Sequence, residues 1–234
     1  MCETCGCGDP ELVPVEVQEG LLAANDHRAK HNREHFDVAG VLAINLMGSP
    51  GSGKTALLEA TAQRFERSSL SALSGDLATE RDAERLSAAG IESRAITTGS
   101  ACHLDAELVH RGLDQLSWRE SDFLFIENVG NLVCPAIYDL GQDANVVALA
   151  VTEGEDKPLK YPVMFHRADL VLLTKVDLLP ALPNLNVTAI EDALARTMPE
   201  PHMIPVSAVN GEGVEEWTEW LKKRRLGVAR RWAV

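Results

Sequence analysis

Residues 48–55 read Gly-Ser-Pro-Gly-Ser-Gly-Lys-Thr and match G-x-x-x-x-G-K-[ST] in full. No other stretch narrows the possible folds so far. Such a run works only where a strand delivers the chain to a tight turn and a helix receives it, so that backbone N–H groups and the helix N-terminus face one anion. Gly48, Gly51 and Gly53 permit that turn without Cβ clashes, and Ser49, Pro50 and Ser52 occupy the variable positions. The flanks comply, with Val38–Met47 apolar and strand-like and Lys54–Arg67 helical in pattern. Lys54 is expected to reach the β/γ-phosphates of a nucleoside triphosphate, and the Thr55 hydroxyl to bind Mg²⁺.

A strand–helix rhythm continues downstream. Leu70–Gly75, Ser93–Ile96, Phe123–Ile126, Asn145–Val151, Leu170–Leu173 and Met203–Val206 read as strands, several of them continuously apolar. Thr79–Ala89, Leu104–Leu116, Val187–Met198 and Val214–Arg225 read as helices between or after them. This alternation predicts an α/β fold, a doubly wound and mostly parallel sheet flanked by helices. At 234 residues the chain can bury one sizeable core. The expected organisation is a flexible Cys-rich tail and linker over 1–20, a helix over 21–37, and a nucleotide-binding domain over 38–234.

Two further segments speak to the nucleotide. Phe123–Glu127 is an apolar strand closing on a carboxylate, and Gly130 makes the segment E-x-x-G. Glu127 would hold Mg²⁺ through water, and Gly130 would offer its N–H to the γ-phosphate. Asp76, at the end of the second strand, is the other candidate on the metal side. Catalysis would thus rest on Lys54, Thr55, Asp76 and Glu127. The base is addressed by Thr174-Lys175-Val176-Asp177 at another strand end. The Asp177 carboxylate can accept from guanine N1–H and the 2-amino group, a donor pair that adenine lacks. Lys175 would lie along the base, and Ser207 with Ala208 would complete the pocket. The nucleotide is therefore expected to be GTP or GDP.

Cysteine usage raises a second chemistry. Cys2, Cys5 and Cys7 form C-x-x-C-G-C, and three thiolates so close can converge on one soft or borderline cation. The α-amine exposed by removal of Met1 could add a nitrogen ligand, a set suited to Ni²⁺ and also to Zn²⁺. Cys102 and His103 are adjacent, and Cys134 joins them only if the fold brings the two loops together. Two thiols and an imidazole leave a four-coordinate ion short of ligands, which a second copy of the chain could supply. Because Cys134 follows Gly130 by four residues, movement of that loop with GTP or GDP would move a metal ligand. A buried, inert Cys134 is the competing reading. His27, His31 and His35 recur at four-residue spacing and read mainly as a solvated helix face; His110, His166 and His202 read as structural.

With 22 Lys plus Arg against 35 Asp plus Glu, a net charge of −13, the chain offers no basic surface for nucleic acid or an anionic membrane. No apolar run approaches a membrane span, and no secretory signal is visible. A cytoplasmic location is expected, and an odd cysteine count in that reducing compartment favours metal chemistry over disulfides. A disulfide-exchange role for Cys2 and Cys5 is disfavoured, because no thioredoxin-like helix follows them.

Taken together, MCETCGC, GSPGSGKT, SACHLDA, ENVGNLVCP, EGEDKPLKYP, TKVDL and SAVNGEG resemble the HypB family of hydrogenase nickel-incorporation GTPases over nearly the whole chain. The resemblance implies a tight nickel site at Cys2, Cys5 and Cys7, and a weaker nickel or zinc site at Cys102, His103 and Cys134 in a GTP-promoted homodimer. It also implies a HypA-type metallochaperone and a hydrogenase large-subunit precursor as partners, and a reach by Lys157 to the neighbouring subunit's guanine. Thr174 departs from the family's usual Asn and loosens the guanine-pocket expectation. The histidine-rich stretch of some relatives is absent, which favours delivery over storage. The alternatives are a urease-type nickel or zinc chaperone GTPase, or a metal-sequestering protein whose nucleotide is structural.

Overall fold

The computed structural model describes residues 15–76, 81–99 and 102–230. Its centre is a sheet of β1 (Leu42–Met47), β2 (Leu70–Asp76), β3 (Glu92–Thr97), β4 (Phe123–Glu127), β5 (Ala144–Ala150), β6 (Leu170–Thr174) and β7 (Met203–Val206). The strands lie in the order β3-β2-β4-β1-β5-β6-β7, with every neighbouring pair parallel. Helices α1 (Val15–Ala39), α2 (Lys54–Ala62), α3 (Arg81–Ala88), α4 (Ala106–Leu113), α5 (Lys157–Lys160), α6 (Pro162–His166), α7 (Val187–Thr197) and α8 (Val214–Arg230) cover both faces.

The pleat explains the two layers. Along β1, Leu42, Ile44 and Leu46 face one side, where they pack with Leu57 and Leu58 of α2 and with Trp217 and Leu221 of α8. Ala43 faces the other, among Phe36 of α1 and Val109 and Leu113 of α4. Met47, also on that second face, meets Met164 and Phe165 of α6 and Ile190 and Leu194 of α7. Buried on both sides, β1 is apolar except for Asn45, whose amide is used below. The chain winds outward to β2 and β3 on one side of β1 and to β5, β6 and β7 on the other. Ligands of open parallel sheets bind at such a reversal, outside the carboxyl ends of the strands.

Several boundaries differ from the sequence expectation. α1 begins at Val15, inside the stretch read as linker, and runs through Val38, which the apolar pattern had assigned to the first strand. It stops at Gly40, whose φ of +68° permits a left-handed turn. Gly40 N–H bonds Asp37 O and Val41 N–H bonds Phe36 O, the paired closure of a Schellman motif, while Val41 turns into the core. α2 ends at Ala62 rather than Arg67. The short helices α5 and α6 were not anticipated. Each carries a proline in its first turn, a position that needs no N–H donor. Cys2, Cys5 and Cys7 lie outside the described residues. Among the described residues, no helix is long and apolar enough to cross a membrane.

Candidate nucleotide site and thiol–imidazole cluster

The loop after β1 is shaped by contacts that exclude side chains. A Cβ on Gly48 would lie 2.4 Å from Ala148 O, and Gly51 and Gly53 hold φ of +75° and +93°. Gly53 stands at the N-cap of α2, so the first N–H groups of that helix open onto the loop. Lys54 Nζ donates to Gly48 O at 3.3 Å and Ser49 O at 3.2 Å, curled over the loop. Burial lowers its pKa, with Glu127 opposing. Ser49 Oγ donates to Glu153, and Ser52 Oγ is buried without a hydrogen-bond partner. A cavity of about 430 Å³ opens here, lined by Pro50, Lys54, Thr55, Glu127 and Gly130 among others.

Thr55 Oγ1 donates to Glu127 Oε1 at 2.7 Å, which joins the start of α2 to the end of β4. The other carboxylate oxygen of Glu127 is buried with no partner. Burial pushes the Glu127 pKa up to about 7, against the Thr55 hydrogen bond and the Lys54 charge. An orphaned carboxylate oxygen beside a threonine hydroxyl is a donor set suited to a hard divalent cation. Asp76 closes β2, and its side chain lies outside the described ones. Asp82 and Arg85 of α3 also line the cavity, and Arg85 is held there by Glu59 at 2.8 Å. Sequence reading missed both, since α3 shows only an amphipathic pattern.

An adjoining cavity of about 260 Å³ is lined by Thr174, Lys175, Asp177, Ala208 and Val209, and shares Gly53 and Lys175 with the first. Thr174 Oγ1 donates to Ser52 O at 2.5 Å, so this threonine ties the base-side strand to the phosphate loop. Lys175 adopts φ of +60°, the one non-glycine in that region among the described residues. Such strain clusters at functional sites. Asp177 accepts from Ser207 Oγ at 2.6 Å, and Ser207 Oγ in turn accepts from the N–H groups of Val209 and Asn210. Lys157 lies outside both cavities, 3.7 Å from Glu153.

The two loops bearing Cys102-His103 and Cys134 meet. Cys102 Sγ lies 3.1 Å from Cys134 Sγ and 3.8 Å from His103 Nδ1. One ligand atom from each residue falls within 4.8 Å of the others. His103 stacks on Tyr138 at 4.0 Å, and burial lowers its pKa, which favours the neutral imidazole that coordination requires. Two links run from this cluster to the phosphate loop. Asn128, the residue after Glu127, accepts from Leu104 N–H at 3.2 Å and donates to Asn45 Oδ1 at 3.0 Å. Gly130 lies against Pro50, and Asn131 pairs with Gly48 in an antiparallel bridge. Three residues later comes Cys134.

Fold and site together define a P-loop nucleotide-binding protein with a thiol–imidazole cluster built onto the loop that packs against its phosphate loop. Residues 42–204 match the family model described as "CobW/HypB/UreG, nucleotide-binding domain". The hydrogenase maturation factor HypB of Azotobacter chroococcum is 47% identical over 212 residues, which cover 90% of this chain and 69% of that protein. The hydrogenase/urease maturation factor HypB of Helicobacter pylori is 40% identical over 215 residues, 90% of this chain and 88% of that one. The crystal structure of HypB from Helicobacter pylori in complex with nickel matches with a TM-score of 0.83 at 39% identity, covering 87% of this chain and 96% of that chain. The chain belongs to the HypB branch of the CobW/HypB/UreG family.

Proposed function

We propose that this chain hydrolyses GTP to time the delivery of nickel during [NiFe]-hydrogenase maturation, in the cytoplasm, as a homodimer formed with GTP. The observation that carries the reading is that Cys134 sits 3.1 Å from Cys102 on the same short loop whose Gly130 packs on Pro50. One loop therefore touches both the phosphate site and the metal ligands. The nickel bound to the Helicobacter pylori relative supports nickel as cargo, and Zn²⁺ would compete for the same thiolates.

Catalysis would be positional and electrostatic. Lys54 exchanges its bonds to the Gly48 and Ser49 carbonyls for phosphate oxygens and offsets their charge. Gly130 N–H would donate to the terminal phosphate. Thr55, Glu127 and Asp76 would hold Mg²⁺, which when bound would offset phosphate charge. Asp177, oriented by Ser207, selects guanine, with Lys175 along the base and Ala208 at its edge. Cys2, Cys5 and Cys7 would take up nickel, and Cys102, His103 and Cys134 would receive it.

Val133 and Ile137 flank Cys134 and are nearly half exposed, an apolar rim beside an incomplete ligand set. Both features support a second copy docking there, with Lys157 leaving Glu153 for the partner's guanine. A HypA-type metallochaperone and the hydrogenase large-subunit precursor are the partners this role requires. The name of the Helicobacter pylori relative joins hydrogenase to urease, so urease is a second candidate client. The test is Lys54→Ala in the full chain. GTP hydrolysis should fall at least ~100-fold while nickel uptake by the Cys2, Cys5 and Cys7 tail is unchanged; unaltered hydrolysis would refute the assigned site.

A further inference from the structure

The geometry points to a further divalent-metal site formed by His31 and His35 of α1 with His110 of α4, taking a borderline cation of the Zn²⁺ or Ni²⁺ class and stapling α1 to the domain. His110 lies more than 70 residues from His31 and His35 in the chain, yet one ring nitrogen of each lies within 4.8 Å of the others. Ring centroids stand 4.3, 5.2 and 5.9 Å apart. His31 and His35 are one helical turn apart and so share a face, and α4 runs across that face.

The surroundings prepare the rings for coordination. Asn32 is fully buried, and its amide donates to Ala106 O at 2.9 Å and to Leu140 O at 3.1 Å. Its oxygen must then accept, and it lies 3.0 Å from His110 Nδ1. That bond places the ring proton of His110 on Nδ1 and leaves the lone pair on Nε2, the outer-shell arrangement that orients metal-bound imidazoles. His31 Nδ1 is buried with no hydrogen-bond partner, a cost that a coordinated cation would remove. All three residues remain half-buried, so a cation can enter from solvent and water can complete the shell.

The position gives the site a use. α1 leads out of the cysteine-bearing N-terminal segment, whereas α4 follows the Cys102-His103 loop by three residues. A cation shared by the two helices would pin the C-terminal half of α1 to α4. The test is a titration of the full chain carrying Ser at all five cysteines, with Co²⁺ as the optical probe. One equivalent should bind with ligand-field absorption and no thiolate charge-transfer band. His31→Gln and His110→Gln should each weaken binding at least tenfold, with His27→Gln and His202→Gln neutral. In the unaltered chain, with its thiolates presaturated by Zn²⁺, a further equivalent should shift the ring-nitrogen resonances of His31 and His110. Absence of that shift, or cobalt uptake indifferent to His31 and His110, overturns the proposal.

Discussion

Glu127 is the residue whose chemistry most constrains the site. Its pKa is raised from 4.5 to about 7 because the carboxylate is buried, with the Thr55 hydrogen bond and the Lys54 and Arg85 charges compensating only in part. A raised folded-state value means that the native chain holds a proton which the unfolded chain has already lost. The associated stability is full below about pH 4.5 and disappears as pH rises through about 7. The displacement corresponds to about 3 kcal/mol at most. Thermal unfolding without nucleotide or divalent cation should therefore show stability falling between pH 5 and pH 8, and Glu127→Gln should flatten that part of the profile. An identical slope in the variant would mean that the carboxylate is already ionised. Asp177 supports a second expectation. Asp177→Asn keeps the Ser207 contact but removes one charged acceptor, and hydrogen bonds to charged groups are worth about 1.5–3 kcal/mol. GTP affinity should drop by roughly 10- to 100-fold in a nucleotide-displacement assay, with ATP affinity unchanged.

At the level of elements, what matters is how the ends of β1, β4 and β6 are tied together. A Cβ on Gly130 would lie 2.8 Å from Pro50 Cγ and 2.9 Å from Pro50 N, so Gly130→Ala must push the β4 loop off the phosphate loop. GTP hydrolysis should fall at least tenfold, with nucleotide affinity held within a few-fold; a variant with normal turnover would show that the close packing is incidental. These ties also show what was legible in the sequence. The phosphate loop, E-x-x-G and the Thr174–Asp177 segment could be read because each is local, at the end of an apolar strand. Thr174 shows in the sequence only as a departure from the usual Asn; its hydroxyl bond to Ser52 O is a contact across 122 positions that spacing cannot reveal. Asn128 passed as an unspecified position within the motif, although its side chain joins β1 to the Cys102-His103 loop. Val38 was drawn into the first strand by apolar continuity, whereas Gly40 carried the true stop signal. The convergence of His110 with His31 and His35 had no local signature, because only the packing of α1 on α4 creates it.

For the whole molecule, the central property is a coupling between two ligands. If GTP strengthens or weakens the grip of Cys102, His103 and Cys134 on nickel by some factor, nickel must alter GTP affinity by the same factor. Typical couplings of about 1–3 kcal/mol correspond to roughly 5- to 150-fold. A dimer completing the ligand set would raise the effect, since metal would then bind the associated form preferentially. The most direct measurement is nickel affinity in a full chain with Cys2, Cys5 and Cys7 changed to Ser, titrated once with GDP and once with a non-hydrolysable GTP analogue, both with Mg²⁺. A difference of at least fivefold between the two states, abolished by Cys134→Ser, is the predicted result. Equal nickel affinities in the two nucleotide states would contradict the account, leaving a GTPase and a metal site that share a loop without sharing energy.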